Sequence, residues 1–333
     1  MARPRWIALS AALPLLAIAA CGGGGGASAS ANGLTTVRMV PDWIAPDVTW
    51  IPYVVGMDKG FYKDAGIQQT IVRPPDNSTT VKMVATGGGD IGESTSSDVV
   101  FAGEQGLPVL SIANYSQSNN WGLFGPAGKS FTVADLRGKR IGVFSDAWTK
   151  AMLPLVLRSA GLGMNDVKQV TAADGDIPLL LANKIDYATN TSNYAIPQYQ
   201  QSAGKAPSEL LAKDHGAPDS PVWNYVANKS WLQKNPTVAK KWLSATQKAT
   251  QWAISNPTEA VKMYEAHFKI KSSNYATDLG EWKATTPFIA PKSNYFTATD
   301  AQWTDLAKAF KDTGQIKKAL PAGDYYTNDY ITP

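Results

Sequence analysis

Short apolar strand patterns alternate with amphipathic helix patterns from Thr35 onward, stop at a Gly- and Pro-rich stretch over 122–128, and then start again. No other property of the chain narrows its fold as far. Strands separated by helices need crossover connections, and these give largely parallel sheets flanked by helices. Two such runs predict an α/β fold with two lobes. The 333 residues exceed the size at which a single core keeps growing, which agrees with two lobes. In the first run the pattern predicts strands over 36–40, 71–72, 90–92 and 108–113. Helices are expected over 52–64 and 79–86, and a further one from a Ser97-Asp98 cap to Gly106. In the second run strands are expected over 140–144, 167–170 and 186–189, with helices over 133–137, 148–160, 177–183 and 194–201. Beyond Val226 the chain reads as helical, with Pro236 and Pro257 at first-turn positions and a last helix over 297–313. This tail must return to pack on one lobe. The expected division is 34–121 plus 228–333 in lobe 1 and 122–227 in lobe 2, with crossings near 117–122 and 221–228. No internal repeat stands out.

The N-terminus has its own logic. Arg3 and Arg5 precede an apolar run over 6–20 that contains Pro14 and ends in small residues before Cys21, the only cysteine. Fifteen largely apolar residues interrupted by Pro14 suit the core of a secretory signal better than a membrane span. The arrangement resembles a bacterial lipoprotein signal, so 1–20 is expected to be removed and Cys21 lipidated. The Gly-, Ala- and Ser-rich segment over 21–33 would be a flexible tether. The expected location is therefore extracytoplasmic and lipid-anchored.

Composition excludes several classes. One cysteine rules out a disulfide framework and a thiolate zinc cluster, and two histidines leave little for an imidazole metal site. The charge of 31 Lys+Arg against 27 Asp+Glu becomes 29 against 27 once Arg3 and Arg5 are removed, too mild to imply nucleic acid. No Gly-x-Ser-x-Gly elbow or His-Glu-x-x-His is present. The segment 122–130 ends in Gly-Lys-Ser but has Leu123 where a phosphate loop needs glycine, so it reads as a turn between units. Asp174-Gly175-Asp176 resembles half a calcium loop and is better read as a helix cap. His215 and His267 read as surface residues, and Trp242, Trp252 and Trp303 as core.

Several stretches then resemble one family. Asp42-Trp43, the run Gly56-Met57-Asp58-Lys59-Gly60-Phe61-Tyr62-Lys63-Asp64-Ala65-Gly66, Asp135-Leu136-Arg137-Gly138-Lys139, and Asn256-Pro257-Thr258-Glu259-Ala260-Val261 are similar to the periplasmic solute-binding proteins of ABC importers. The group meant binds a thiamine pyrimidine precursor, alkanesulfonates, taurine or nitrate. The resemblance implies a type II periplasmic-binding-protein fold, a small-molecule solute, an ABC permease with its ATPase as partner, no cofactor and a monomer. Asp42-Trp43 looks most like the pyrimidine-precursor subgroup. The histidine usual some six residues after the tryptophan is absent, and its stretch reads Asp47-Val48-Thr49-Trp50. Eukaryotic pyrimidine synthases share the fold and the Asp-Trp opening, consume pyridoxal phosphate and one of their own histidines, and carry a Cys-rich motif that this chain lacks.

Ligands of open parallel sheets bind beyond the carboxyl ends of the strands. The loops there hold the candidate binding residues: Trp43, Asp47, Thr49, Trp50, Glu93, Ser94, Thr95, Asn114, Tyr115, Asp146, Trp148, Asn190, Asn193 and Tyr194, with Trp223 at the second crossing. The set is aromatic and acidic and contains no arginine. Rings stack on flat ligands, and carboxylates accept N–H bonds. A flat, nitrogen-bearing, neutral or cationic solute is therefore favoured. The contrary signal is Ser94-Thr95-Ser96-Ser97, a hydroxyl-rich helix start able to hold a sulfonate. Ser96 or Ser97 capping the helix is the plainer reading, and Glu93 and Asp98 would repel an anion.

Overall fold

The computed structural model describes residues 33–172, 175–289 and 296–332. The signal-like segment, Cys21 and almost all of the tether lie outside the described residues. Four strands begin the fold: β1 (Thr35–Val40), β2 (Ile67–Ile71), β3 (Ile91–Thr95) and β4 (Val109–Asn114). Between them run α1 (Ile51–Asp58), α2 (Phe61–Asp64), α3 (Thr80–Thr86) and α4 (Ser96–Glu104). The second run holds β5 (Trp121–Gly125), β6 (Arg140–Val143), β7 (Lys168–Thr171), β8 (Tyr187–Thr191) and β9 (Ser208–Leu211), with α5 (Ala147–Ser159), α6 (Asp176–Leu181) and α7 (Ser192–Ala203). The chain returns through β10 (Trp223–Asn228). It ends in α8 (Lys229–Lys234), α9 (Pro236–Ser255), α10 (Pro257–Phe268), α11 (Tyr275–Ile289) and α12 (Asp300–Asp312).

The strands form two five-stranded sheets, ordered β2-β1-β3-β10-β4 and β7-β6-β8-β5-β9. In each, four strands run in one direction, and the strand delivered by the crossing, β10 or β5, runs antiparallel between its neighbours. Both sheets are thus mixed, because the crossings enter them without a helix to reverse direction. The matching order exposes a correspondence too weak to read in sequence. Arg38 clamps Asp90 with Nε and Nη2 at 3.1 and 2.8 Å, and Arg140 clamps Asp186 at 3.2 and 2.8 Å. Each aspartate also accepts the arginine's own backbone N–H. Five residues beyond each aspartate stand Thr95 and Thr191, at the start of α4 and α7.

Four expectations change. The helix expected over 52–64 breaks at Gly60, whose φ of 78° starts α2 afresh and turns Tyr62 against Gly56, where a Cβ would meet the ring at 2.3 Å. The first part of the stretch read as a turn between units, through Gly125, is strand β5, and the turn falls at 127–128; glycine is needed at 122 because a Cβ would lie 2.3 Å from the Leu210 carbonyl oxygen. Residues 223–227, expected with the second lobe, pair in the first sheet, and Trp121 already belongs to the second. The tail packs on both halves instead of one. Helix α9 lies on α1, with Trp242 buried and donating to Gln69 at 2.5 Å, while α11 lies on α7. Arg158 and Ala151 of α5 bond to Asp312 and Gln315 respectively. Trp303 is buried, whereas Trp252 is half-buried beneath the Lys59 ammonium.

Candidate ligand-binding cleft

The two crossing segments are tied side by side. Tyr115 and Ser116 donate their N–H groups to the Trp223 carbonyl, and Ser116 Oγ accepts the Trp223 N–H at 2.9 Å. Asn119 N–H and Ser118 Oγ both donate to Asp219, and Asn119 Nδ2 donates to the Pro218 carbonyl. Beside this double strap, between the sheets, lies a cavity of about 510 Å³. Its walls come from the loop after β1, the ends of β3 and β8, the starts of α5 and α6, and α7, α10 and α11.

Nine of the fifteen residues singled out from sequence line this cavity: Trp43, Asp47, Thr49, Thr95, Asp146, Trp148, Asn190, Tyr194 and Trp223. The other six do not. Trp50 is buried against Phe268, 5.4 Å between centroids. Glu93 and Ser94 lie within β3, which runs on to Thr95, so both are buried; Glu93 accepts the Tyr53 hydroxyl at 2.8 Å. Asn114 is buried and donates to the Thr297 carbonyl and to Gln302. Tyr115 is buried and donates its hydroxyl to the Thr49 carbonyl. Asn193 is buried between the Asn120 amide and the Thr285 hydroxyl.

The hydroxyl-rich helix start is also rearranged. Thr95, not Ser96 or Ser97, caps α4: its hydroxyl accepts the Asp98 N–H and lies 2.6 Å from the Asp98 carboxylate. Ser96 Oγ donates to the Pro221 carbonyl and accepts from Asn224. These hydroxyls are therefore engaged within the protein.

Seven carboxylates line the cavity, from Asp42, Asp47, Asp98, Asp146, Asp176, Asp278 and Glu281, and no Lys, Arg or His does so among the described residues. Burial is the main cause of the altered titration of Asp42, Asp47, Asp98, Asp176, Asp278 and Glu281. It pushes Asp42 well above the usual range, and Glu93, Asp98, Asp146 and Asp47 add to the rise. Asp98 is raised by burial to about 6, with the Thr95 hydroxyl opposing and Asp146 adding. Burial likewise takes Asp176 to about 7 against the Asn190 bond, and Asp278 to about 6 with Glu265 adding. Glu281 rises to about 8 despite its bond from Gln198. Beneath the floor, buried Glu93 rises to about 8, with Asp47 adding and the Tyr53 bond opposing. Asp47 itself is raised by burial against bonds from Thr49, which it accepts from N–H and hydroxyl at 2.8 and 2.5 Å.

Sequence reasoning passed over several walls. Asp176, read as a cap, lines the cavity with Oδ1 accepting from Asn190 Nδ2 at 2.9 Å. Asp278 and Glu281 carried no signal, because the tail's path across both halves is invisible to pattern. Trp121 and Phe144 complete a wall that already holds Trp43, Trp148 and Trp223. Trp43 and Phe144 come from opposite sides and meet edge to face. Neither His215 nor His267 reaches the cavity; His267 faces Asp58.

Paired mixed sheets with flanking helices, two crossings and a lined gap between them define a two-lobed periplasmic-binding-protein fold. The periplasmic aliphatic sulphonate binding protein SsuA of Escherichia coli shares it, with a TM-score of 0.66 at 15% identity over 87% of this chain and 91% of that one. The chain belongs to the NMT1/THI5-like family, whose model matches residues 47–260. It is 25% identical over 297 residues to a 4-amino-5-hydroxymethyl-2-methylpyrimidine phosphate synthase of Saccharomyces cerevisiae, covering 85% of this chain and 84% of that protein. A formylaminopyrimidine-binding protein of Halalkalibacterium halodurans is 25% identical over 260 residues, covering 77% of each. No helix among the described residues is long and apolar enough to cross a membrane.

Proposed function

We propose that this protein is the solute-binding subunit of an ABC importer, held outside the cytoplasm by a lipid on Cys21, and that its solute is a flat nitrogen heterocycle such as a thiamine pyrimidine precursor. The observation that carries the solute class is the cavity wall: seven carboxylates and the indoles of Trp43, Trp121, Trp148 and Trp223, with no cationic side chain among the described residues. Indole faces suit a flat ring, and carboxylates suit its N–H groups. The formylaminopyrimidine-binding relative supports the same class. In this reading 34–120 with β10 and most of the chain after it forms one lobe, 121–222 the other, and a solute touching both stabilises closure over opening. The permease would read the closed form.

An aliphatic sulfonate or nitrate fits the fold but meets the wrong charge, since an anion gains nothing from a wall of carboxylates. The synthase reading draws on the yeast relative. Imine chemistry with pyridoxal phosphate needs a lysine amine, and neither lysine nor histidine faces the cavity among the described residues. A thermal-shift panel of purified protein tests the reading against aminopyrimidines, thiamine, riboflavin, aliphatic sulfonates and nitrate. A heterocycle is expected to raise the melting temperature while sulfonates and nitrate leave it unmoved. A response to the anions alone overturns the solute class, and an imine absorbance with pyridoxal phosphate overturns the non-enzymatic role.

A further inference from the structure

The carboxylates of the cleft are not contributed evenly. Asp42 follows β1, Asp98 stands in the first turn of α4, and Asp146 caps α5 on the opposite side. Asp98 and Asp146 both act electrostatically on Asp42, and Asp146 acts on Asp98. An independent observation points to a ligand at the same cavity. Asp176 lines it at 1% exposure, and while Oδ1 is held by Asn190, Oδ2 has no partner. The indole N–H groups of Trp121 and Trp148, two further wall residues at 2% exposure, are also unpartnered. Buried polar atoms in native proteins are rarely left this way. An occupant bearing N–H donors and at least one acceptor would satisfy them.

Resting on the solute-binding reading above, we propose that the cleft selects for positive charge: a cationic nitrogen of the solute sits among Asp42, Asp98 and Asp146, and Asp146 sets this specificity. It is the member of the trio carried by the second sheet. Moving Asp146 toward Asp42 and Asp98 sets three acids against one another, so closure without a cation is either opposed by their repulsion or needs a proton taken up, as the raised titration of Asp42 and Asp98 reflects. A cation between them reverses the sign of that interaction. An uncharged solute of the same shape keeps the ring contacts and leaves the repulsion in place.

Two compounds differing by one charge test this: 4-amino-5-aminomethyl-2-methylpyrimidine, whose side chain is an ammonium at neutral pH, and its neutral 5-hydroxymethyl counterpart. Titration calorimetry on the wild-type protein should show the ammonium compound binding at least about tenfold more tightly, with a preference that shrinks as salt rises. In Asp146→Asn the ratio should fall below about threefold. Asparagine still caps a helix, so α5 should survive, and an unchanged melting temperature checks this. Should that variant fail to fold, Asp42→Asn carries the same expectation. Equal affinities, tighter binding of the neutral compound, or a ratio untouched by either variant overturns the charge selection while leaving the solute reading intact. Binding of neither compound also overturns it, and the solute reading falls with it only if the full thermal-shift panel is silent.

Discussion

Trp43 and Phe144 meet across the cleft with ring centroids 5.9 Å apart and planes at 79°, one following the first strand of the first sheet and the other following β6 of the second. This edge-to-face contact joins the two halves at the cavity wall. Trp43 is half-buried, with its indole both against Phe144 and at the cavity wall. Trp43→Ala should weaken binding of a responding heterocycle by roughly 2–4 kcal/mol, the scale of an anchoring aromatic. Phe144→Leu keeps most of the apolar area and should cost only about 1 kcal/mol. Calorimetric titration of both variants checks the order, and wild-type affinity in Trp43→Ala would remove the indole from the site.

The buried acids predict an unusual pH dependence of stability. Glu93 and Glu281 titrate near 8 when folded, Asp176 near 7, and Asp98 and Asp278 near 6, all above ordinary unfolded carboxylates. Between about pH 4 and 8 the folded state therefore holds more protons than the unfolded chain, so stability falls as pH rises. Urea denaturation of the ligand-free protein from pH 5 to 8.5 should show that decline. Glu93→Gln keeps an acceptor for the Tyr53 hydroxyl and should flatten the curve, gaining on the order of 1–3 kcal/mol at pH 8. A profile that rises steadily to pH 8 would contradict the assignment.

Asn193 was expected to touch the solute and instead ties three segments together. Its carbonyl oxygen accepts from Asn120 in the first crossing at 2.8 Å, and its amide donates to Thr285 of α11 at 2.9 Å. Asn193→Ala strands two buried partners and should cost about 1–3 kcal/mol of stability. The loss should be seen in denaturation midpoints. Affinity at a temperature where the variant is still folded should change far less than in Trp43→Ala.

How far the site could be read in advance depended on where each strand ends. Parallel strands deliver their carboxyl ends to one edge, so Asp47, Thr95, Asp146 and Asn190 could be placed there from local pattern. Glu93 and Ser94 failed because β3 is buried on both faces and runs three residues beyond the strand expected over 90–92. Trp50 failed because the 3-10 turn capped by Asp47 directs it inward. The acids of α11 were beyond reach, since nothing local says that a tail helix will cross to α7. Legibility ended where tertiary path, not periodicity, decided the neighbour.

Lipid attachment makes a separable prediction. Cys21→Ala should be recovered in the soluble fraction of the producing cells or their medium, while retaining the wild-type response in the thermal-shift panel. Continued membrane association of this variant would assign the anchor to another feature.

Gly122 tests the reading of the Gly-rich stretch as strand. It pairs with Asn190 on one side and Leu211 on the other, and a Cβ there would lie 2.3 Å from the Leu210 oxygen and 3.0 Å from its carbonyl carbon. Backbone atoms cannot swing aside as a side-chain tip can, so β9 would have to move away from β5. Gly122→Ala should therefore destabilise by about 1–3 kcal/mol, the range of overpacked cores. Gly128, with φ of 78° and nothing within 4 Å of its Cβ position, faces only the backbone penalty of the left-handed region. Gly128→Ala should cost about 1 kcal/mol. Denaturation of the two variants side by side distinguishes a paired strand at 122 from a loop, since a loop would place the larger loss at 128.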